Sequence, residues 1–348
     1  MVRYALLLAP SANRVYADGA ARLTRAELTV FAGAGVLDSR PGEIDEQDLG
    51  GVGYVTFTAP AALRPRDVAY LSNLSAAYAL FEMVDGDLLR PVPLVPLARF
   101  DNDLLTIPKY PGKTNEQFTR LLLNVTLLAS ASAPVMLDRQ LVVLDPLCGR
   151  GTTLNQALMY GYDGIGIEVD GKDVDVYGSF LKTWLKRKRL KHSAELTPVR
   201  RDKKLVARRL EVVVAASRDD YRAGATQRVT VLHTDTTRAT EVLKGGCADV
   251  LVADAPYGVT HGSRTTAGGL SRSPLDLLSA AAPGWARLLR PGGALGLSWN
   301  TRVARRERAA EVLRAAGLEP VETDGYRELA HWVDQSIERD VLVARKIA

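Results

Sequence analysis

The sequence predicts a doubly wound, mostly parallel α/β sheet preceded by a small α+β domain. Three observations carry that expectation. From about Gly112 onward, short apolar segments alternate with stretches of helical spacing, the pattern that builds a parallel sheet covered by helices. The first of those segments ends in a glycine turn, DPLCGRGTT, that leads into a helix. The first hundred residues have a different texture, with strand-like and helical segments and three prolines between Asp87 and Pro96.

The N-terminal domain is expected to span residues 1–105. Arg3–Ala9 is short and apolar and reads as a strand rather than a signal peptide. Leu23–Ala34 has helical spacing, with Thr24 placed to cap it and Glu27 three residues later. Gly53–Thr58 reads as a strand, and Pro65 as the first turn of a helix running to about Met83. Asp87–Pro96 reads as irregular, and Ile107–Pro111 as a proline-bearing linker.

The second domain is expected over residues 106–348. Thr114 or Asn115 can cap a helix over Glu116–Ala131. Strands follow at Leu141–Asp145, Gly164–Glu168, Val229–His233, Ala248–Asp254, Ala294–Trp299 and Asp340–Arg345. The gap between the second and third strands holds an insertion at about 180–225, expected as a loop or an extra helical hairpin.

Composition bounds the function. The chain of 348 residues is 47% hydrophobic and 24% charged, ordinary for a globular protein, and it lacks the apolar run of about 18 residues that a membrane helix needs. Two cysteines cannot build a disulfide scaffold, so a cytoplasmic location is expected. No Cys and His cluster has zinc spacing, and no metal is expected. The formal net charge of +5 is unevenly placed. Lys182–Arg209 sets twelve Lys and Arg against only Glu195 and Asp202, which is the footprint of a polyanion partner. Lys186, Arg187, Lys188, Arg189, Lys191, Arg200 and Arg201 are its candidate nucleic-acid contacts.

The glycine turn carries a binding site. A strand, then D-x-x-x-G-x-G, then a helix, aims backbone N–H groups at the sheet's carboxyl edge. Gly149 and Gly151 let a ligand approach the backbone closely. The turn lacks the third glycine of a dinucleotide fingerprint and the lysine of a P-loop. Asp145 disfavours an anion and accepts a cation, so the ligand should carry an amine or a sulfonium. Glu168 ends the second strand, where an acid can accept from ribose hydroxyls.

DPLCGRGTT resembles the D-P-F-C-G-S-G-T signature of S-adenosylmethionine-dependent methyltransferases. It is nearest the form found in RNA guanine-N2 methyltransferases that carry THUMP domains. The resemblance implies a Rossmann-like, seven-stranded methyltransferase sheet and S-adenosylmethionine as cofactor. It places Asp145, Pro146, Cys148, Gly149, Gly151 and Thr152 around the cofactor, with Glu168 at the ribose and Asp235 at the adenine amino group. Read by itself, Cys148 is a small packing residue, and Asp235 a turn cap.

ADAPYG, Ala253 to Gly258, is the second motif. Methylating an exocyclic amine requires two N–H acceptors that aim the nitrogen's lone pair at the methyl donor. Asp254 and the Ala255 carbonyl suit the acceptors. Tyr257 suits a platform on which a base stacks, worth about 1–3 kcal/mol. The segment resembles the (Asp/Asn)-Pro-Pro-(Tyr/Phe/Trp) motif of amino-methyltransferases, which implies catalytic roles for Asp254, Ala255, Pro256 and Tyr257 and brings Asp254 against the cofactor. Ala255 stands where the family has proline, which loosens the loop but keeps the carbonyl. Lys109–Asn124 resembles the family's segment that closes over the methionine end, with Lys113, Thr114 and Phe118 as candidates and Thr114 at the cofactor. The N-terminal domain resembles the ferredoxin-like part of THUMP-bearing enzymes but is too short for that part plus a complete THUMP domain, so the basic insertion is expected to dock the substrate.

The function these resemblances imply is methyl transfer to an exocyclic amine of an RNA nucleobase, with guanine N2 in tRNA favoured. DNA adenine-N6 or cytosine-N4 methylation, a non-catalytic RNA-binding protein of the same fold, and a small-molecule amine methyltransferase remain open. His261 reads as a loop histidine, and Trp299 and Asn300 as either a turn or the substrate mouth.

Overall fold

A computed structural model describes residues 1–10, 14–85, 88–110, 112–255, 263–264, 270–271 and 274–347. In the N-terminal half the order is β1 (Val2–Leu8), α1 (Arg14–Gly33), β2 (Gly42–Leu49), β3 (Val52–Ala59), α2 (Pro65–Leu71), β4 (Ala77–Val84) and β5 (Leu88–Val92). These five strands form one antiparallel sheet in the order β2-β3-β1-β4-β5. The first four strands and two helices therefore have a split β-α-β-β-α-β topology.

Three expectations about this half are corrected. α1 starts nine residues before Leu23, and Thr24 donates to the Ala20 carbonyl at 2.7 Å as an interior helix residue. α2 stops at Leu71, and the segment to Met83 turns into β4. Asp87–Pro96 contains β5.

The second half begins with α3 (Asp103–Thr106) and α4 (Glu116–Ala129). It continues through β6 (Val142–Asp145), α5 (Thr152–Met159), β7 (Asp163–Glu168), α6 (Gly171–Arg187), β8 (His192–Arg201), β9 (Lys204–Val214), α7 (Arg218–Arg222) and β10 (Gln227–His233). Then come α8 (Ala239–Val242), β11 (Ala248–Asp254), a short antiparallel ladder of β12 (Ser263–Arg264) and β13 (Leu270–Ser271), and α9 (Pro274–Leu288). β14 (Leu289–Asn300), α10 (Arg306–Ala315), β15 (Leu318–Pro320), β16 (His331–Asp334) and β17 (Ile337–Lys346) complete the chain.

The central sheet has ten strands rather than seven, ordered β15-β17-β14-β11-β6-β7-β10-β9-β8, with β16 also on β17. Its five middle strands, β14-β11-β6-β7-β10, are parallel; every pairing outside them is antiparallel. The order reverses direction at β6, so β7 and β11 diverge from it in opposite senses. The crevice at that switch point is where open α/β sheets bind ligands. The additional strands include the 180–225 insertion, which is a β-hairpin on the sheet's edge instead of a loop or helical pair.

α4 ties the halves together. Asn115 caps it, its side chain accepting from the Gln117 and Phe118 amides at 2.9 and 3.1 Å. Nearly every side chain along α4 is buried, because the helix lies between the sheet and α1. Its approach to the sheet is close: a Cβ on Gly296 would overlap the Thr126 hydroxyl. One apolar cluster therefore runs from Tyr4, Phe31 and Phe57 through Leu121 and Val125 to Val143, Val250 and Val343.

Inside that interface Glu27 is fully buried. Its carboxylate accepts from the Ser75 amide at 2.9 Å, the Ser75 hydroxyl at 2.6 Å and Asn124 Nδ2 at 2.7 Å, while Tyr160 donates to Asn124 Oδ1 at 2.7 Å. Burial pushes the Glu27 carboxyl above its ordinary range against those donors. Glu27 is thus a joint between the halves, not a capping residue. Residues 99–105 also fold onto the second half, where Phe100, Leu104 and Leu105 pack with Leu154, Leu158 and Trp184. Among the described residues, no helix is long and apolar enough to cross a membrane.

Candidate active site

The parallel register brings three acids to one sheet edge. Asp145 ends β6, Glu168 ends β7 and Asp254 ends β11, each delivered where its strand stops. Asp145 is 4% exposed and accepts from the Leu147 amide at 3.0 Å. Its carboxyl is pushed up to about 7, first by burial and further by the like charges of Asp254 and Glu168. Burial also raises Glu168, although its carboxylate accepts from the Gly149 amide at 2.9 Å and the Asp170 amide at 2.7 Å. A buried cluster of one charge sign is costly unless a cation joins it. The donor set therefore suits a positively charged ligand.

The glycine turn lies against this cluster. Gly149 and Gly151 have φ of +49° and +78°, and Gly151 begins α5 in the left-handed region. A Cβ on Gly151 would sit 2.4 Å from the Tyr177 ring, whose hydroxyl donates to Asn155 Oδ1 at 3.1 Å. Only glycine lets the backbone turn here against a fixed ring. Cys148 is buried beside Gly166, and burial raises its thiol well above the ordinary range, so its side chain packs and is no nucleophile. Pro146 is buried beneath the turn, and Thr152 is half-buried at its helical end.

Tyr110, from outside the two motifs, stands beside the glycine turn with Arg150 and Thr152. The Tyr110 hydroxyl lies 3.1 Å from Thr152 Oγ1. The Arg150 guanidinium lies 4.8 Å from the centre of the Tyr110 ring and donates to Asp173 at 2.7 Å. Sequence reasoning passed over Tyr110 and Arg150. The signal was a tyrosine two residues ahead of Gly112 in KYPG, with an arginine between the paired glycines. Val169, 40% exposed, follows Glu168 and offers an apolar surface on the same edge.

On the other side, Thr114 donates to Asp254 Oδ2 at 2.5 Å. That bond joins the segment before α4 to the end of β11, across 140 positions of sequence. The Ala255 amide donates to the Ser298 carbonyl at 2.8 Å, holding the chain as it leaves β11. Lys113 is turned away, donating to the Leu105 carbonyl at 2.7 Å and to Glu116. Phe118 is buried with the Arg339 guanidinium 4.3 Å from its ring centre and the His331 ring 5.1 Å away. Burial drives the His331 imidazole down to about 4, so it is neutral near pH 7. Pro256, Tyr257 and His261 lie outside the described residues.

Trp299 and Asn300 do not line a mouth. Trp299 is 2% exposed and donates to the Ala304 carbonyl at 2.8 Å, behind Ala255 and beside Leu147, Leu297 and Trp285. Asn300 is buried, donates to the Ser336 carbonyl at 2.9 Å and accepts from the Arg302 and Glu338 amides at 3.2 Å. Asp235 caps the turn after β10, accepting from the Thr237 amide at 2.9 Å and its hydroxyl at 2.7 Å.

The basic residues are not one arm. Lys186 and Arg187 end α6, and Lys188, Arg189 and Lys191 lead into β8. Arg200 and Arg201 stand at the far end of that strand. Lys188 is paired with Asp101 and Asp103, each at 2.7 Å. Among the described residues, no group of three or more His, Cys, Asp or Glu could hold a metal ion.

Residues 126–295 match the family described as an RMKL-like methyltransferase domain. No curated protein matches the chain. Among solved structures, the chain is similar to a putative RNA methyltransferase from Pyrococcus horikoshii at 16% identity and a TM-score of 0.38, covering 68% of this chain and 86% of that one. It is similar to 1,6-didemethyltoxoflavin-N1-methyltransferase of Burkholderia thailandensis, solved with S-adenosylhomocysteine, at 17% identity and 0.37, covering 63% and 77%. Magnesium protoporphyrin IX methyltransferase of Synechocystis, solved with S-adenosylmethionine, is similar at 14% and 0.40, covering 68% and 86%. The matched segment is similar to a methyltransferase domain, and S-adenosylmethionine, a sulfonium cation, is the cofactor that its acidic cluster and glycine turn fit.

Proposed function

We propose that this methyltransferase domain acts on an exocyclic amine of a nucleobase in RNA, with guanine N2 in tRNA as the favoured target. The observation that carries the reading is Asp254. It ends the strand beside β6, shares an edge with the acidic cluster, and has its carboxylate fixed by Thr114.

S-adenosylmethionine supplies an electrophilic methyl group. The chain's residues do the rest. Gly149 and Gly151 give close backbone access, and Tyr110, Thr152 and Arg150 stand beside that turn. Asp145 and Glu168 supply negative charge, with Glu168 also placed to accept from ribose hydroxyls once it leaves the Gly149 amide. Asp235 is assigned to the adenine amino group and exchanges its turn-capping bonds for that contact.

On the amine side, Asp254 accepts one N–H and the Ala255 carbonyl accepts the other. The nitrogen lone pair is thereby turned out of conjugation with the ring. Positive charge grows on that nitrogen during transfer, and a fixed carboxylate beside it stabilises the charge without reorganising. The amine proton leaves afterwards, so no strong base is required. Pro256 and Tyr257 are assigned to the rigid exit and the stacking face. A paired target base would have to be flipped out to reach the site. The N-terminal sheet is read as a ferredoxin-like RNA-facing domain, on its β-α-β-β-α-β order.

The test is transfer of labelled methyl to total tRNA, ribosomal RNA and DNA in parallel, with Asp254→Ala alongside. Label in tRNA that disappears in the variant supports the reading, and nucleoside digestion then names the atom. Label in DNA alone would move the reading to a DNA amine. An absence of label in every pool, with cofactor binding intact, would sink it.

A further inference from the structure

We infer that the turn of the β8–β9 hairpin, Arg200–Lys204, grips the phosphodiester backbone of the RNA substrate, and that the equally basic end of α6 does not. The inference rests on the RNA reading above and adds where the substrate lies.

The register separates the two basic groups. β10 pairs in parallel with β7, His233 standing opposite Glu168, so His233 marks the carboxyl edge. β9 pairs antiparallel with β10, Arg208 opposite His233 and Val214 opposite Gln227. The four residues Lys204–Ala207, with Val199–Arg201 of β8, therefore overhang the edge that carries Asp145, Glu168 and Asp254. At about 3.3 Å per residue, Lys204 lies roughly 13 Å beyond Arg208. The end of α6 lies at the other end of the same ribbon, since His192 pairs with Val214. Ten residues of β9 separate the two groups, about 33 Å.

Both groups are exposed, Lys186, Arg187, Arg189 and Lys191 included, and they differ in the pairing of Lys188. Arg200, Arg201, Lys203 and Lys204 are all exposed. Asp202 and Lys203 have φ of +48° and +63°, with Arg201 opposite Lys204. A two-residue turn joins the strands here, with a register shift between Val199 and Arg200, and the four cations cluster around it. Asp202 lies within the turn, and Glu241 of α8, which feels the charge of Arg201, is already bonded to Arg238 at 2.7 Å. Leu205, 57% exposed, stands opposite Arg200 and offers an apolar contact beside the charges. At the other end, Lys188 is tied to Asp101 and Asp103 and holds the 99–106 segment in place.

The spacing suits one substrate bound at both places. β9 and β11 are four strands apart in the sheet, so the turn lies roughly 19 Å across the edge from Asp254 at about 4.8 Å per strand. A chain of nucleotides with one residue at Asp254 can run along the edge and lay its phosphates on the turn.

The test measures affinity for a fluorescently labelled tRNA transcript by anisotropy, without cofactor, across a salt series. Two charge-reversed variants are compared with the parent protein: R200E/R201E/K203E/K204E, and K186E/R187E/R189E/K191E. The expected result is at least a 100-fold loss in the first and less than threefold in the second. The milder R200A/K204A variant should lose about tenfold, and its thermal midpoint should match the parent's. Each phosphate contact contributes about 0.7–0.9 to the slope of log affinity on log salt, so losing four should flatten it by about three. If the α6-end variant loses as much or more, the proposal is overturned while the RNA reading stands. If the parent binds no tRNA although it binds S-adenosylmethionine, the RNA reading falls and the proposal falls with it.

Discussion

Replacing Gly151 with alanine tests the architecture of the cofactor turn directly. Two penalties meet there. The backbone is left-handed, φ +78°, which costs a non-glycine residue about 1–2 kcal/mol. The new Cβ would also lie 2.4 Å from a Tyr177 ring carbon, and that ring is fully buried with its hydroxyl bonded to Asn155. The ring cannot swing away, so overpacking adds about 1–3 kcal/mol. Gly161 provides the comparison. Its φ is +83°, just past the end of the same helix, and nothing lies within 4 Å of its Cβ position. Gly161→Ala thus reports backbone strain alone. Urea unfolding should show a loss of about 2–5 kcal/mol for Gly151→Ala. Gly161→Ala should lose only about 1–2 kcal/mol. Relief of the clash displaces the turn, so calorimetry should show S-adenosylmethionine affinity falling at least tenfold in the first and unchanged in the second. Equal losses of stability in the two variants would refute the steric argument, and unchanged affinity in Gly151→Ala would detach the turn from the cofactor.

Other outcomes follow from the same geometry. Asp145 has its carboxyl raised to about 7 in the folded protein. An acid with a raised folded value stabilises the fold fully below its unfolded pKa and loses that contribution as pH rises through about 7. Asp145→Asn should therefore gain stability relative to the parent protein as pH climbs from about 4 to 7, measured by thermal melts across pH. Binding a cation favours the ionised form, so cofactor affinity should rise through pH 7 with proton release, seen by calorimetry in buffers of different ionisation enthalpy. A pH-independent affinity would contradict this. Asp254→Ala should lower methyl transfer at least 100-fold while cofactor affinity stays within tenfold, and Thr114→Ala should lower turnover by a smaller factor. Retained turnover in Asp254→Ala would remove it from the chemistry. Glu27→Ala strands the Ser75 and Asn124 donors in the interface, each worth about 1–3 kcal/mol unsatisfied. Chemical unfolding should show a total loss of about 2–5 kcal/mol.

Much of the candidate site was legible because its parts are local. The parallel strands were legible in their apolar runs, and β11 ends at Asp254 as its sequence implied. DPLCGRGTT is one contiguous turn, and its glycines have the positive φ that such a turn demands. Asn115 is a cap because its side chain meets amides two and three residues on. The errors arose where one local pattern served two structures. Thr24 and Glu27 have capping-box spacing, yet the helix had begun at Arg14 and both face inward. Trp299 ends a strand as a mouth residue would, but α10 and the chain after β14 cover it.

The sequence by itself determined the strand–turn–helix unit, the acids that end the strands, and the amount of positive charge. Backbone propensity and the exposure of charge to water act over a few residues and are written in them. Only the tertiary structure decided that Thr114 meets Asp254 across 140 residues, that Tyr177 closes under Gly151, and that Glu27 joins the two halves. It also decided that the basic end of α6 and the basic turn after β8 stand at opposite ends of the β8–β9 ribbon. The reason is register. A strand carries its two ends about 33 Å apart however close their side chains stand in sequence, and only pairing with β10 fixes which end reaches the site.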